Sequence, residues 1–163
     1  MELIVRYPIP DDEMARLKET VRLQANRPQA FVLGHGLWNN LDQHQSAAWL
    51  DTVTRPIRLA LREDQQRRGA RDDGQRQLPM LLVTPNAAGD KKPDEWLVSQ
   101  GNKALVGFER AMAIEAARRR IDHLGTWNMS IQATLYDGVH MDLRGNLVKA
   151  MMVLNWLDYL SSQ

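Results

Sequence analysis

An aspartate and a histidine stand three residues apart, on either side of a glycine, in the segment Asp137-Gly138-Val139-His140. A carboxylate at this spacing can hold one ring nitrogen of the imidazole and leave the other nitrogen free to take a proton from a nucleophile. The same four residues also suit an Asp-Gly turn that carries a surface histidine. The spacing alone therefore allows two interpretations, an acid–base pair and an ordinary turn.

The chain around this pair predicts strands that alternate with helices. Apolar and β-branched runs bounded by proline, glycine or asparagine are typical of strands. Such runs occur at Glu2–Tyr7, Ala30–Leu33 and Leu78–Val83, with a poorer one at about Leu124–Trp127. Ala30–Leu33 and Leu78–Val83 are continuously apolar, which indicates strands covered on both faces. The alternation predicts a single α/β domain over residues 1–163, with a mainly parallel sheet.

The segments between the strands are helical in composition. Helices are predicted from Asp11 or Asp12 to about Ala25, from about Gln43 to Arg68, from about Asn102 to Arg120, and from Leu143 to Leu160. Pro56 predicts a break or a new start within the second helix. In the last helix, an apolar face of helical period is marked by Leu147, Met151, Leu154 and Trp156–Leu157, and we expect Met151, Met152 and Trp156 to pack in the core.

Three loops fall at or near one edge of this predicted sheet, and they are Gly34–Asn40, Thr84–Glu95 and Asp137–His140. In parallel α/β sheets, ligands bind at the carboxyl ends of the strands. We therefore expect the three loops to converge on one site.

Composition excludes several classes of function. The net charge is +1, and the arginines of residues 55–76 are interleaved with acidic residues and lack the aromatic side chains of a nucleic-acid platform. The four histidines have no spacing that predicts a metal site, and the absence of cysteine excludes disulfides and thiolate ligands. We therefore predict no nucleic-acid partner and no metal.

No apolar run of the chain reaches the roughly 18 residues of a membrane span. The first residues also lack the basic start and the long apolar core of a signal peptide. The sequence thus predicts no membrane segment, and it leaves the localisation open.

Three stretches together resemble the SGNH (GDSL-type) hydrolase superfamily. The resemblance is greatest to the PC-esterase branch, which contains trichome-birefringence-like polysaccharide acetyltransferases and the luminal domain of sialate O-acetyltransferases. Phe31–Asn39 is similar to the block that ends the third strand, and Leu81–Pro85 followed by Lys91–Trp96 is similar to the fourth strand and its exit. Asp137–His140 and the final helix resemble the block that carries the catalytic Asp and His. The resemblance implies a three-layer αβα fold with a flavodoxin-like sheet.

The resemblance also implies roles for individual residues. His140 would be the general base, and Asp137 would orient it. Gly36 with Asn39 or Asn40 would donate hydrogen bonds to the oxyanion of a tetrahedral intermediate, unless the two amides only cap the next helix. In the same loop, His35 and Trp38 are candidates for contacts with substrate.

The nucleophile of the superfamily is missing from this sequence. It is the serine of a Gly-Asp-Ser motif after the first strand, whereas the one Gly-Asp pair here, Gly89-Asp90, is followed by Lys91. Glu2–Tyr7 occupies the place of the second strand, so we expect the first strand and its serine upstream of Met1.

The resemblance therefore implies an esterase or O-acyltransferase domain that acts on carbohydrate esters without metal or organic cofactor. We expect the chain by itself to be inactive. The alternative is a non-catalytic remnant that binds a glycan or a protein partner.

Overall fold

The computed structural model of the chain describes residues 8–22, 30–67 and 78–162, and these residues form two compact units. The first unit contains residues 8–22, 30–31, 48–67 and 78, and the second contains residues 32–47 and 79–162. The predicted strand Glu2–Tyr7 lies outside the described residues. Along the described chain, the elements are α1 (Asp11–Arg22), β1 (Phe31–Gly34), a 3-10 helix (Leu37–Asn39), α2 (Gln43–Arg67), β2 (Met80–Val83), α3 (Asp94–Gln100), α4 (Asn102–Arg118), β3 (Asp122–Leu124), α5 (Trp127–Ser130) and α6 (Leu143–Ser161).

Helix α2 passes through Pro56 without a break, and the predicted interruption there is wrong. Proline removes one backbone hydrogen bond of the helix and clashes with the preceding turn, at a cost of about 3 kcal/mol. Val53, Ile57 and Ala60 recur with helical spacing on both sides of Pro56, and all three are buried. Burial of this continuous apolar stripe offsets the local cost.

Within the first unit, an ion pair of 2.6 Å joins Arg22 of α1 to Glu63 of α2.

The second unit is built on a small three-stranded parallel sheet with the order β1-β2-β3. Strand β2 pairs in parallel with β3 in the register Leu82 to His123. All four residues of β2 are buried, which agrees with the prediction of a covered strand. Helix α4 contacts β3 and buries Leu105, Phe108 and Met112. The predicted α/β class is confirmed.

Two of the predicted strands differ from the observed ones. Strand β3 ends at Leu124, before most of the predicted span, because the chain turns at Gly125 and Thr126 into the short helix α5. In β1, Val32 is 51% exposed, so this strand is not covered on both faces. A short apolar run fits a central strand and an edge strand equally well, since it carries no information about the neighbours of the strand.

Helix α6 has nearly the predicted bounds, but its predicted core face is wrong for Leu147, Met151 and Leu154, whereas Met152 and Trp156 are half-buried. Leu147, Met151 and Leu154 are each 56% exposed, and Gly145 is the buried residue of the helix. The opposite side of α6, with Met152, Trp156 and Leu160, is half-buried. The helix is apolar on both sides, so its periodicity could not indicate which side packs on the domain.

In the described part of the chain, no helix is long and apolar enough to cross a membrane.

Candidate functional site

The Asp137–His140 loop is a tight turn with a closed stem. Leu135 and Met141 form an antiparallel bridge at its base, and the Tyr136 N–H donates to the His140 carbonyl at 3.1 Å. Inside the turn, Oδ1 of Asp137 accepts the backbone N–H groups of Val139 at 2.9 Å and His140 at 2.7 Å. A carboxylate that binds the backbone two and three residues ahead fixes its own turn. The loop therefore holds Asp137 and His140 in one conformation.

The second carboxylate oxygen of Asp137 contacts the imidazole. Oδ2 lies 2.6 Å from Nδ1 of His140. The backbone N–H of His140, and after it the His140 side chain, hold the pKa of Asp137 well below its ordinary value. An ionised carboxylate only accepts hydrogen bonds, so Nδ1 carries the proton. Nε2 has no hydrogen-bond partner among the described residues, and the His140 side chain is 67% exposed. The pair thus presents the second ring nitrogen of His140 to solvent.

At Gly138 this turn packs against the loop that follows β2. Its φ of +87° lies in the region that favours glycine, and a Cβ at this position would collide with the backbone nitrogen of Lys92. The Gly138 carbonyl accepts the N–H of Gly89 at 3.0 Å. Backbone therefore packs directly on backbone where the two loops meet, and only glycine permits this approach.

Asn86 ties the same two loops to helix α6. Its Nδ2 donates to the Val139 carbonyl at 3.2 Å, and its Oδ1 accepts from Nζ of Lys149 at 3.4 Å. Burial lowers the pKa of the Lys149 ammonium from its ordinary value. Lys149 brings a cation, and Asn86 a polar amide, to the neighbourhood of His140.

The three loops converge around an open cleft of about 250 Å³. Its walls are residues 34–38 from the first loop, 83–86 from the second, and Val139, His140 and Lys149. Gly36 closes the floor between the first and second loops, since a Cβ there would meet Pro85 at 2.7 Å and Phe108 at 2.8 Å. The expected convergence at the carboxyl ends of the strands is therefore observed.

Both side chains predicted to touch substrate line this cleft. Trp38 is 86% exposed, so its indole is available to a ligand. His35 is half-buried, and burial lowers the pKa of its imidazole to about 4. At neutral pH the cleft therefore contains a neutral His35 ring, which can both donate and accept a hydrogen bond.

The amides predicted for an oxyanion hole lie elsewhere, whereas Gly36 lines the cleft. The buried Asn39 side chain donates to Oγ of Ser46 at 2.8 Å and to the Asp42 carbonyl at 3.1 Å. The Asn40 side chain accepts from Nε2 of Gln100 at 3.2 Å. Neither side chain is among those that line the cleft, and their predicted catalytic role stays a prediction.

Asn86 and Lys149 line the cleft but were not predicted from the sequence. Asn86 follows Thr84-Pro85, a combination that signals only the end of a strand. Lys149 lies between apolar residues in a largely apolar helix, whose other cation, Arg144, belongs to the first turn, and this position is the signal that could have indicated it. A buried cation in such a helix needs a polar partner, which Asn86 provides.

No serine of the chain bonds to the His140 ring, and all five serines belong to the described residues. Ser46 and Ser130 are buried, with hydrogen bonds to Asn39 and to the Thr126 carbonyl. In the described ranges, no group of three or more His, Cys, Asp or Glu side chains is arranged to hold a metal ion.

Comparison with known proteins does not assign the chain to a family. No family model matches it, and searches of curated proteins and of solved structures gave no match either. The superfamily resemblance therefore remains an expectation drawn from short motifs.

Proposed function

We propose that this chain carries the acid–base half of an SGNH-type acyl-transfer site. Asp137 orients His140, and Nε2 of His140 takes a proton from a hydroxyl group that attacks an ester, then returns it to the leaving alcohol. The observation that carries the proposal is the contact of 2.6 Å between Asp137 Oδ2 and His140 Nδ1, at a cleft formed by three loops.

The order of the strands supports the proposal. The resemblance assigns β1 and β2 to the third and fourth strands of a flavodoxin-like sheet, which makes β3 the fifth. The three strands of this chain are neighbours in the sheet in the same order. In a flavodoxin-like sheet of order 2-1-3-4-5, the third, fourth and fifth strands follow one another in this way.

One group near His140, the Lys149 ammonium, suits the negative charge that acyl transfer develops. The Nζ atom of Lys149 lies at the cleft wall and is held at 3.4 Å from Asn86. A partly desolvated ammonium beside the cleft would stabilise an oxyanion more strongly than one in bulk water, because the local dielectric is lower.

We infer that the substrate is an ester of a carbohydrate, since acylated sugars are the substrates that the resemblance implies.

The covalent step of such a mechanism needs a nucleophilic hydroxyl, and no serine of this chain bonds to the His140 ring. We therefore expect the chain by itself to form no acyl-enzyme. A fluorophosphonate, which labels activated serines, should leave the purified chain unmodified, and an aryl acetate should not be turned over. Labelling that disappears in His140→Ala would overturn this part of the proposal.

The proposed binding of carbohydrate esters in the cleft is tested by ligand-observed and protein-observed NMR. The ligands are an O-acetylated oligosaccharide and the same oligosaccharide after chemical deacetylation. We expect the acetylated form to shift the signals of His140 and Lys149, and the deacetylated form to shift them less. Asp90→Asn, an exposed change in the same unit but outside the cleft lining, is the control and should leave both titrations unchanged. Absence of any shift at the cleft would contradict the proposal.

A second candidate is a carbohydrate-binding cleft without catalysis. The exposed Trp38 indole favours it, because an aromatic face at a cleft rim is a platform on which a sugar ring can stack. In this case acetylated and deacetylated sugars would bind equally well. Trp38→Ala would abolish binding, whereas His140→Ala and Asp137→Ala would leave it intact.

A further inference from the structure

Helix α6 exposes a broad apolar face that the rest of the described chain does not cover. Six large side chains on this outer face are each at least half exposed, and they are Leu143, Leu147, Val148, Met151, Leu154 and Tyr159. A soluble monomer rarely exposes a contiguous apolar patch of more than a few hundred Å², and larger patches mark sites of interaction. The outer face therefore needs an occupant.

The charges on this face are arranged around its centre. Arg144 and Asp158 are both exposed, and each is seven residues from Met151, one toward either end of the helix. Seven residues are about two helical turns, so the three side chains lie along one line on the outer face. Neither charge has an ion-pair partner within the part of the chain that the structure describes.

This arrangement is complementary to itself. When two α6 helices lie antiparallel about a two-fold axis at Met151, Arg144 of one helix faces Asp158 of the other, and the reverse contact forms at the opposite end. Val148 then faces Leu154, and Leu143 faces Tyr159. A two-fold interface requires a surface that complements its own copy in this way. We propose that a second copy of this chain covers the outer face, in an antiparallel α6–α6 dimer.

A membrane surface fits the face less well than a second copy does. Amphipathic helices that lie on membranes carry several lysines and arginines beside the apolar face. Arg144 is the one exposed cation of the outer face, and the acidic Asp158 lies on the same line. The charge pattern therefore favours a protein surface of alternating sign.

Charge exchange tests the proposed pairing. We expect Arg144→Asp to weaken dimerisation about tenfold, because it places two like charges opposite each other at both ends. Asp158→Arg should have an effect of similar size. The double variant R144D/D158R should restore the dissociation constant to within about twofold, because both ion pairs form again with exchanged signs. Analytical ultracentrifugation measures the dissociation constants of the wild type and of the three variants, and circular dichroism verifies that each variant is folded.

Cysteine cross-linking tests the position of the axis. Two helices about 9 Å apart bring facing Cα atoms to roughly 4.5 Å, which a disulfide can span. The chain contains no cysteine, so Met151→Cys introduces a single thiol. Ile114→Cys on α4 is the matched control, since Ile114 is as exposed as Met151, at 56%. Mild oxidation should yield a covalent dimer of M151C and little or none of I114C.

Three results would overturn the proposal. The first is a chain that stays monomeric at several hundred micromolar. The second is a dimer whose dissociation constant is unchanged by the single charge reversals. The third is equal cross-linking of M151C and I114C. A monomer that sediments with phosphatidylserine-containing vesicles would instead assign the outer face to a membrane surface.

Discussion

Asp137 engages His140 through both of its carboxylate oxygens, with Oδ1 on the backbone N–H and Oδ2 at 2.6 Å from Nδ1 of the ring. One side chain thus determines the loop conformation and the orientation of the imidazole together. An ordinary Asp-Gly turn requires only the first contact. The second contact is the one that an acid–base pair needs, because it fixes which ring nitrogen stays unprotonated.

Asp137→Asn should change the tautomer of His140 while it preserves the turn. The asparagine Oδ1 can still accept the two backbone N–H groups, but a neutral amide no longer holds the proton on Nδ1. In alkaline buffer, long-range ¹H–¹⁵N correlation should show Nε2 unprotonated in the wild type and a mixture of tautomers in D137N. Asp90→Asn should leave the His140 spectrum as it is. The same tautomer in wild type and D137N would contradict an orienting role for Asp137.

The Asp137 carboxyl should also titrate at unusually low pH. Its pKa in the folded chain lies below the unfolded value of 3.8, chiefly because the His140 backbone N–H binds the ionised form. The stabilising contact is therefore present above pH 3.8 and is lost only as the pH falls through the lower folded value. A ¹³C NMR titration of the carboxyl carbon measures this directly. His140→Ala should bring the midpoint partly back, since it removes the ring but retains the backbone donor.

Gly138→Ala should destabilise the fold and displace the pair from the cleft. Its φ of +87° strains any other residue, and the new methyl group would collide with the backbone nitrogen of Lys92. We expect a loss of about 2–4 kcal/mol in the free energy of unfolding, measured by urea denaturation. Gly107→Ala is the control, because Gly107 is helical with open space around its Cβ position, and it should stabilise by about 0.5–1 kcal/mol. If both substitutions changed the free energy of unfolding equally, the close approach of Gly138 to the Lys92 backbone would be contradicted.

The sequence allowed the loops of the cleft to be predicted, but not the surroundings of α6. Gly34–Asn40 and Thr84–Glu95 each follow an apolar strand, and parallel strands bring their carboxyl ends to one edge, so the convergence of these two loops followed from topology. The Asp137–His140 loop follows helix α5 rather than a strand, so topology alone did not determine its position. The packing side of α6 could not be predicted, because apolar residues occupy both of its faces. The resemblance implied Asn39 or Asn40 as an oxyanion-hole donor, yet the Asn39 amide turns inward to Ser46, and no sequence pattern determines such a side-chain direction.

Acid should weaken the fold through His35. Burial lowers the pKa of its ring from about 6.5 to about 4 in the folded chain, so the unfolded chain binds more protons between these values. Stability is therefore full above about pH 6.5 and falls as the pH is lowered toward 4. The ring is only half-buried and solvent screens the charge, so we expect a loss of about 1–2 kcal/mol. Urea denaturation of wild type and His35→Gln at pH 7 and pH 4.5 measures it. The loss should be smaller in the variant, although His123 contributes with the same sign, since burial lowers its pKa too.

Gln100→Leu should destabilise the fold because Gln100 accepts a hydrogen bond from a buried cation. Lys92 is 5% exposed, its Nζ donates to Oε1 of Gln100 at 3.1 Å, and burial lowers its pKa. The Gln100 amide also donates to the Leu37 carbonyl and to the Asn40 side chain, each at 3.2 Å, so it fixes the loop that carries Trp38. We expect Gln100→Leu to lower the free energy of unfolding by about 2–3 kcal/mol. Adding Lys92→Met should recover part of this loss, because the unpaired ammonium is then gone. Strictly additive losses in the double variant would mean that the two side chains act independently.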